Sequence, residues 1–121
     1  MHSHLSNGDI GELKFSIKAL QNGIKILKPI SSERYDVVTD YNGILNKVQI
    51  KSSVYKRRGT PEFTIHNKNR KYKDSDFDYY ALVSDDDVYI IPKSKLSTRI
   101  VHITKVNKNN KYLNAWDQLK K

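Results

Sequence analysis

Apolar residues fall at Ile10, Leu13, Ile17 and Leu20, spaced three and four apart, which predicts one face of an amino-terminal helix. Asn7 is placed to cap that helix, and Asp9 complements the positive end of its dipole. Gly23 is a natural stop, because glycine tolerates the left-handed conformation after a last turn. On this reading the Ile10–Leu20 stripe is the buried face. Glu12, Ser16 and Ala19 then lie on an adjacent face, with Glu12 in the first turn.

After the helix the period shortens to two. Ile24 to Leu27 precedes Pro29 and predicts a first edge strand, and residues 35–41 and 45–55 predict strands joined at Asn42-Gly43, a strong hairpin signal. Lys56-Arg57-Arg58-Gly59-Thr60-Pro61 interrupts the pattern as a basic loop. Glu62 to His66 alternates again and is followed by a polar, basic run from Asn67 to Lys73. Residues 79–83 and 88–91 predict a hairpin around Asp85-Asp86-Asp87, Pro92 begins a short turn or helix, and residues 99–103 form a further strand. Asn109 and Asn110 are placed to cap a final helix carrying Leu113, Trp116 and Leu119. The order helix, several strands, helix predicts an α+β or mixed α/β fold with a central sheet flanked by helices.

Length and charge narrow this picture. At 121 residues the chain is read as a single domain, residues 1–121. The 22 Lys and Arg against 13 Asp and Glu give a net charge of +9, which points to a densely anionic partner, nucleic acid ahead of a membrane surface. No apolar run reaches the ~20 residues of a spanning helix, and the amino terminus lacks a signal-peptide core, so an intracellular, cytoplasmic chain is expected. The absence of cysteine excludes disulfides, thiolate metal sites and cysteine nucleophiles.

The candidate chemistry lies on the second strand of the first hairpin. Val48, Ile50 and Ser52 share one side, while Gln49 and Lys51 share the other. If the neighbouring strand brings Asp36 alongside, a carboxylate, an amide oxygen and an ammonium meet. The pattern alone fits two readings: a metal-dependent phosphodiesterase site, or a cross-strand ion pair of Asp36 with Lys51 worth ~0.2–1 kcal/mol. Glu12 fits both a functional carboxylate and a helix-dipole partner. Asp76 and Asp78, flanking Phe77, fit turn or capping roles better than metal binding.

Taken together, Glu12 in an amino-terminal helix, Asp36, and Gln49-Ile50-Lys51 resemble the PD-(D/E)xK nuclease superfamily, and within it the small group I intron homing endonucleases. The resemblance extends through Asp76-Phe77-Asp78-Tyr79-Tyr80-Ala81-Leu82-Val83, Val88-Tyr89-Ile90-Ile91-Pro92, and the final Tyr112 to Leu119, about residues 8–120. It implies a restriction-endonuclease-like core and hydrolysis of DNA phosphodiesters to 5′-phosphate and 3′-hydroxyl ends. It implies Mg²⁺ as cofactor, with Mn²⁺ substituting, held by Asp36, the Gln49 side chain, the Ile50 carbonyl and Glu12. Lys51 is implied as the residue that activates water or stabilises the transition state. Two positions depart from the usual pattern: Tyr35 stands where proline is common, and neutral Gln49 stands where Glu or Asp is usual.

The basic residues Lys56, Arg57, Arg58, Lys68, Arg70, Lys71 and Lys73 bracket the strand after the motif and are the expected phosphate contacts. Tyr55, Thr64, His66 and Asn67 are positioned to meet base edges. Double-strand cleavage by so short a chain implies a homodimer or higher symmetric assembly. Homing, restriction and junction resolution on branched DNA all fit the implied chemistry. A DNA-binding module that has lost catalysis through Gln49, and an RNA-associated basic protein, are the rival readings.

Overall fold

The computed structural model describes residues 6–53, 56–57, 59–65, 73, 75–103 and 108–121. The amino-terminal helix α1 runs Asn7–Gln21. Ser6, not Asn7, is its cap. Ser6 has extended backbone angles, its Oγ accepts from the Asp9 N–H at 3.1 Å, and the Ser6 N–H donates back to Asp9 at 3.2 Å. This reciprocal capping box needs an acid three residues on, which Ser6 has in Asp9. At the other end Gly23 takes φ +76°, the left-handed stop its position predicts.

The burial of α1 reverses the expectation. Its covered residues are Gly11, Phe15 and Ala19, while Ile10, Leu13, Ile17 and Leu20 point outward. Small residues on either side of Phe15 let the helix lie close on the sheet. Four branched aliphatic side chains would hold it farther off.

The sheet beneath α1 has five strands in the order β1-β2-β3-β6-β7. These are β1 (Lys25–Leu27), β2 (Val37–Tyr41), β3 (Ile44–Ser52), β6 (Tyr79–Ser84) and β7 (Asp87–Pro92). All neighbours are antiparallel except β3 and β6, which run parallel with Gln49 opposite Tyr80 and Lys51 opposite Leu82. Asn42 and Gly43, at φ 50° and 88°, make the two-residue turn between β2 and β3. Two successive positive φ angles define the turn whose twist matches a hairpin.

Parallel strands need a long crossover, and here it carries two strands of a second sheet. Strands β4 (Lys56–Arg57), β5 (Thr60–Thr64) and β8 (Ile100–His102) form it in the order β4-β5-β8, antiparallel throughout.

Side-chain alternation divides the core between the two faces of the main sheet. Val48, Ile50, Ala81, Val83, Val88 and Ile90 pack on the α1 side with Phe15, Ala19, Trp116 and Leu119. Tyr80, Leu82, Tyr89 and Ile91 pack on the other side with Phe63, Phe77, Leu96, Val101 and Tyr112. The helix is thus on one face only, and the second face is covered by strands β5 and β8.

The carboxy-terminal segment also departs from expectation. It forms short 3₁₀ turns, η2 (Lys108–Asn110) and η3 (Trp116–Lys120), in place of one α-helix; a further turn, η1 (Lys93–Lys95), follows Pro92 as predicted. Asn110 and Asn114 take left-handed angles, φ 56° and 51°, that a helix does not accommodate. The backbone between them pairs with β7 instead: Ile90 N–H donates to the Tyr112 carbonyl at 3.0 Å and Asn114 N–H to the Val88 carbonyl at 2.7 Å. Trp116 still reaches the core, its ring 5.3 Å from that of Phe15. Among the described residues no helix is long and apolar enough to cross a membrane.

Candidate active site

The β2–β3 ladder runs from Tyr41–Ile44 to Val37–Val48 and gains one more bond, from the Asp36 N–H to the Val48 carbonyl at 2.9 Å. There β2 ends, while β3 continues to Ser52 against β6. The next inward-facing amide, Ile50 N–H, has lost its strand partner. The Asp36 carboxylate takes that role, accepting from it at 2.7 Å. A strand residue points its N–H and C=O to the same side, so the Ile50 carbonyl faces this gap as well. Strand geometry alone therefore delivers one carboxylate and one carbonyl to a notch between β2 and β3.

Burial is the main influence on Asp36 and pushes its carboxyl above the usual range. The Ile50 hydrogen bond opposes this, the negative charge of Glu12 adds to it, and the positive charges of Lys51 and Lys28 oppose it. Two acids and two ammonium groups are therefore close enough to sense one another at this notch. Gln49 lies one residue before Ile50 and is half-buried, on the same side of β3 as Lys51.

Glu12 arrives from α1, in its second turn and not its first. The helix-dipole effect fades beyond the first turn, so a dipole role does not explain it. Its carboxylate is paired with Lys28 Nζ at 2.5 Å, and this pairing raises the lysine's affinity for its proton.

The neighbouring residue Gly11 sets how close the helix comes. A Cβ at position 11 would lie 1.7 Å from Ser52 Oγ and 3.0 Å from Ser52 Cβ. The helix therefore touches β3 at Ser52, one residue past Lys51, and only glycine permits that contact. The Ser52 hydroxyl is enclosed there without a hydrogen-bond partner.

The donors expected for a cation here are the carboxylates of Asp36 and Glu12, the Gln49 amide oxygen and the Ile50 carbonyl. These hard oxygen donors suit Mg²⁺, which takes few protein ligands and keeps waters. The fit shows in Asp36 itself: a half-buried carboxylate, destabilised as an anion by burial and by Glu12, gains from a cation beside it. Among the described residues no three His, Cys, Asp or Glu side chains cluster to hold a metal.

Comparison with known families finds the PD-(D/E)XK endonuclease pattern across residues 1–119. The chain belongs to the PD-(D/E)XK endonucleases. Among solved structures, this PD-(D/E)XK endonuclease is similar to the bacterial homing endonuclease I-Ssp6803I. The two share 26% identity at a TM-score of 0.78, over 93% of this chain and 90% of that one. Comparison with curated protein sequences finds no match. The family and the structural likeness together make the chain a nuclease with the expected fold.

The expected phosphate contacts are only partly visible. Arg58, Lys68, Arg70 and Lys71 lie outside the described residues, as do Tyr55, His66 and Asn67. Lys56 and Arg57 form β4, and Lys73 is exposed. Lys56 pairs with Asp85 at 2.5 Å, which raises the Lys56 ammonium and holds the Asp85 carboxyl below its usual range. Both groups are open to water, so the pair is easily given up to a phosphate. The Asp85 carbonyl also accepts from Lys14 Nζ at 2.7 Å.

Asp76 and Asp78 serve the backbone, as their sequence context suggests. Asp76 accepts from the Lys73 N–H at 2.6 Å, and Asp78 accepts from the Lys47 N–H at 2.8 Å, fastening β3 to the approach of β6.

Gly11 and Lys28 are the two residues that sequence reasoning missed. A glycine in mid-helix is a recognisable signal of close packing, since it costs ~1 kcal/mol against alanine. Lys28 carries no such signal.

Proposed function

We propose that this chain is a Mg²⁺-dependent DNA endonuclease, acting as a single domain inside the cell, with Asp36, Glu12, Gln49 and Lys51 as its catalytic residues. The observation that carries this reading is the Asp36 carboxylate fixed on the Ile50 N–H in the β2–β3 notch, with Lys51 and Glu12 acting on its charge. Asp36, Glu12, the Gln49 side chain and the Ile50 carbonyl would hold the cation. Mn²⁺ substitutes for it.

A divalent cation at these oxygens supplies charge neutralisation at the phosphate and lowers the pKa of water. The chain's own residues do the rest. The Ile50 N–H keeps Asp36 in one orientation, so no reorganisation is required when substrate arrives. Lys51, as an ammonium, binds a non-bridging oxygen of the scissile phosphate and stabilises the charge that builds there. Lys28 balances Glu12, so two acids can approach an anionic backbone. Water adds to phosphorus and the P–O3′ bond breaks, leaving 5′-phosphate and 3′-hydroxyl ends.

The net charge of +9 supports a nucleic-acid substrate, with Lys56, Arg57, Arg58, Lys68, Arg70, Lys71 and Lys73 as its contacts to the DNA backbone. The likeness to I-Ssp6803I favours a homing role over restriction or junction resolution. Cutting both strands calls for a homodimer or a higher symmetric assembly.

Nicking of supercoiled plasmid with and without Mg²⁺, by wild type and Lys51→Ala, tests this. Mg²⁺-dependent nicking by wild type, reduced by at least ~10³-fold in Lys51→Ala, is expected. Undiminished cleavage by Lys51→Ala would remove the lysine from the mechanism. Equal DNA binding by both proteins with no cleavage by either would favour a binding module disabled at Gln49. Retention of RNA alone would point to the RNA-associated reading.

A further inference from the structure

Helix α1 presents two apolar faces, and the fold covers one. Gly11, Phe15 and Ala19 are buried on the sheet, while Ile10, Leu13, Ile17 and Leu20 keep 39, 51, 55 and 59% of their surface exposed. A stripe of aliphatic side chains this open in a small basic protein calls for a cover.

The spacing of the stripe says what kind. Positions 10, 13, 17 and 20 are the a and d sites of two consecutive heptads, with isoleucine at both a sites and leucine at both d sites. In a parallel seam that distribution favours two strands over three or four. The flanking sites agree. Asp9 falls at g and Lys14 at the following e, so a parallel partner places each Asp9 beside the other copy's Lys14. An antiparallel partner would instead set Lys14 against its own copy.

Lys14 is already anchored by one hydrogen bond to the Asp85 carbonyl at 2.7 Å, and an ammonium has three donors. Asp9 uses Oδ2 for the Ser6 cap, and its side chain is exposed. The helix is also formed in advance by packing on its own sheet, which removes the folding cost that makes isolated short coiled coils weak.

We propose that α1 is the contact between two copies of this chain, paired as a short parallel seam along Ile10, Leu13, Ile17 and Leu20. The inference deepens the nuclease reading, because a second copy supplies the second cutting site. It rests on that reading for its purpose and on the seam for its geometry. Two heptads bury less than the roughly 800 Å² per partner of a standard interface. The dimer is therefore weak and concentration-dependent.

Sedimentation equilibrium of the full chain across a concentration series tests the seam. Wild type is expected to shift from monomer to dimer. Ile17→Glu and Leu13→Glu, with unchanged circular dichroism because both sites face solvent, are expected to raise the dissociation constant by at least ~100-fold. Ile17→Gln serves as the milder variant if a charge disturbs the fold.

The chain has no cysteine, so single introduced thiols report the alignment. Ile10→Cys alone should form a disulfide-linked dimer on oxidation, because equivalent a sites meet in a parallel pair. Cross-linking only in a mixture of Ile10→Cys with Leu20→Cys would overturn the parallel arrangement. A wild type that stays monomeric, or a dimer unmoved by Ile17→Glu and Leu13→Glu, would overturn the proposal.

Nicking assays on the same samples separate the two ideas. A seam-dependent dimer that never cuts DNA upholds the interface and overturns the nuclease reading. A cutting monomer does the reverse.

Discussion

The inner and outer faces of α1 are built from different kinds of residue for different tasks. The inner face reads Gly11, Phe15, Ala19, with Glu12 at its margin; the outer face reads Ile10, Leu13, Ile17, Leu20. The outer face carries four large aliphatic side chains against one large side chain on the inner face, and yet it is the inner one that the fold buries. Close approach decides this. Gly11 brings the helix backbone onto Ser52 of β3, which brings Glu12 into range of Asp36. Hydrophobic periodicity therefore identifies a face that seeks cover, without saying whether the cover comes from the same chain.

The largest effect that tests this contrast is on stability. Phe15→Ala should cost about 3–5 kcal/mol, the usual range for emptying an aromatic core site, because Phe15 is fully buried against Trp116. Ile17→Ala, two residues on, should stay within ~0.5 kcal/mol when measured where the chain is monomeric. Urea denaturation of both variants at low protein concentration checks the pair. Similar losses would mean that the outer face is also core.

Next in size is the close contact. Gly11→Ala should lift α1 from β3 and slow single-turnover cleavage by on the order of 10²-fold, since a misplacement of about 1 Å costs that much. The double substitution Gly11→Ala with Ser52→Gly should recover most of the rate by removing the side chain that Cβ meets. Failure of the double variant to recover would mean that Gly11 acts otherwise than by spacing.

A smaller effect concerns the charge that the inner face helps to destabilise. Burial, with a contribution from Glu12, raises the Asp36 carboxyl in the folded chain. An acid whose folded value is raised binds its proton more tightly when folded. Its stabilising contribution is thus present at pH below the unfolded carboxylate value and is lost as pH rises through the folded value. Asp36→Asn should accordingly melt higher than wild type at neutral pH without metal, and the gap should close as pH falls to about 4. The same substitution should abolish cleavage. A melting temperature below wild type at neutral pH would contradict the burial of an uncompensated charge.

How much of this was legible depends on the range of the interaction. Asn42-Gly43 announces its turn because positive φ is a local property of those residues, and Asp76 and Asp78 announce their backbone roles for a similar reason. Strand positions 48–52 and the Gln49–Lys51 side follow from alternation. Asp36 beside Ile50 was expected from family resemblance, and the shape of the notch gives it a physical cause.

The parallel pairing of β3 with β6 was not legible, because the partner lies beyond a crossover that itself forms strands. Leu113, Trp116 and Leu119 imitate a helical stripe. Asn110 and Asn114 break it only because β7 offers their backbone a better partner. The burial of α1 was misread because a glycine and an alanine carry no weight in a hydrophobic pattern, although they decide how closely two elements approach.

Adjacent residues on the two sides of α1 give the most direct measurement: the single-turnover nicking rate of Glu12→Gln against that of Leu13→Gln, at saturating protein and Mg²⁺. A functional inner face predicts that Glu12→Gln loses at least ~100-fold, whereas Leu13→Gln nicks at the wild-type rate. Equal rates for Glu12→Gln and wild type would contradict the assignment of Glu12 and Asp36 to one active site.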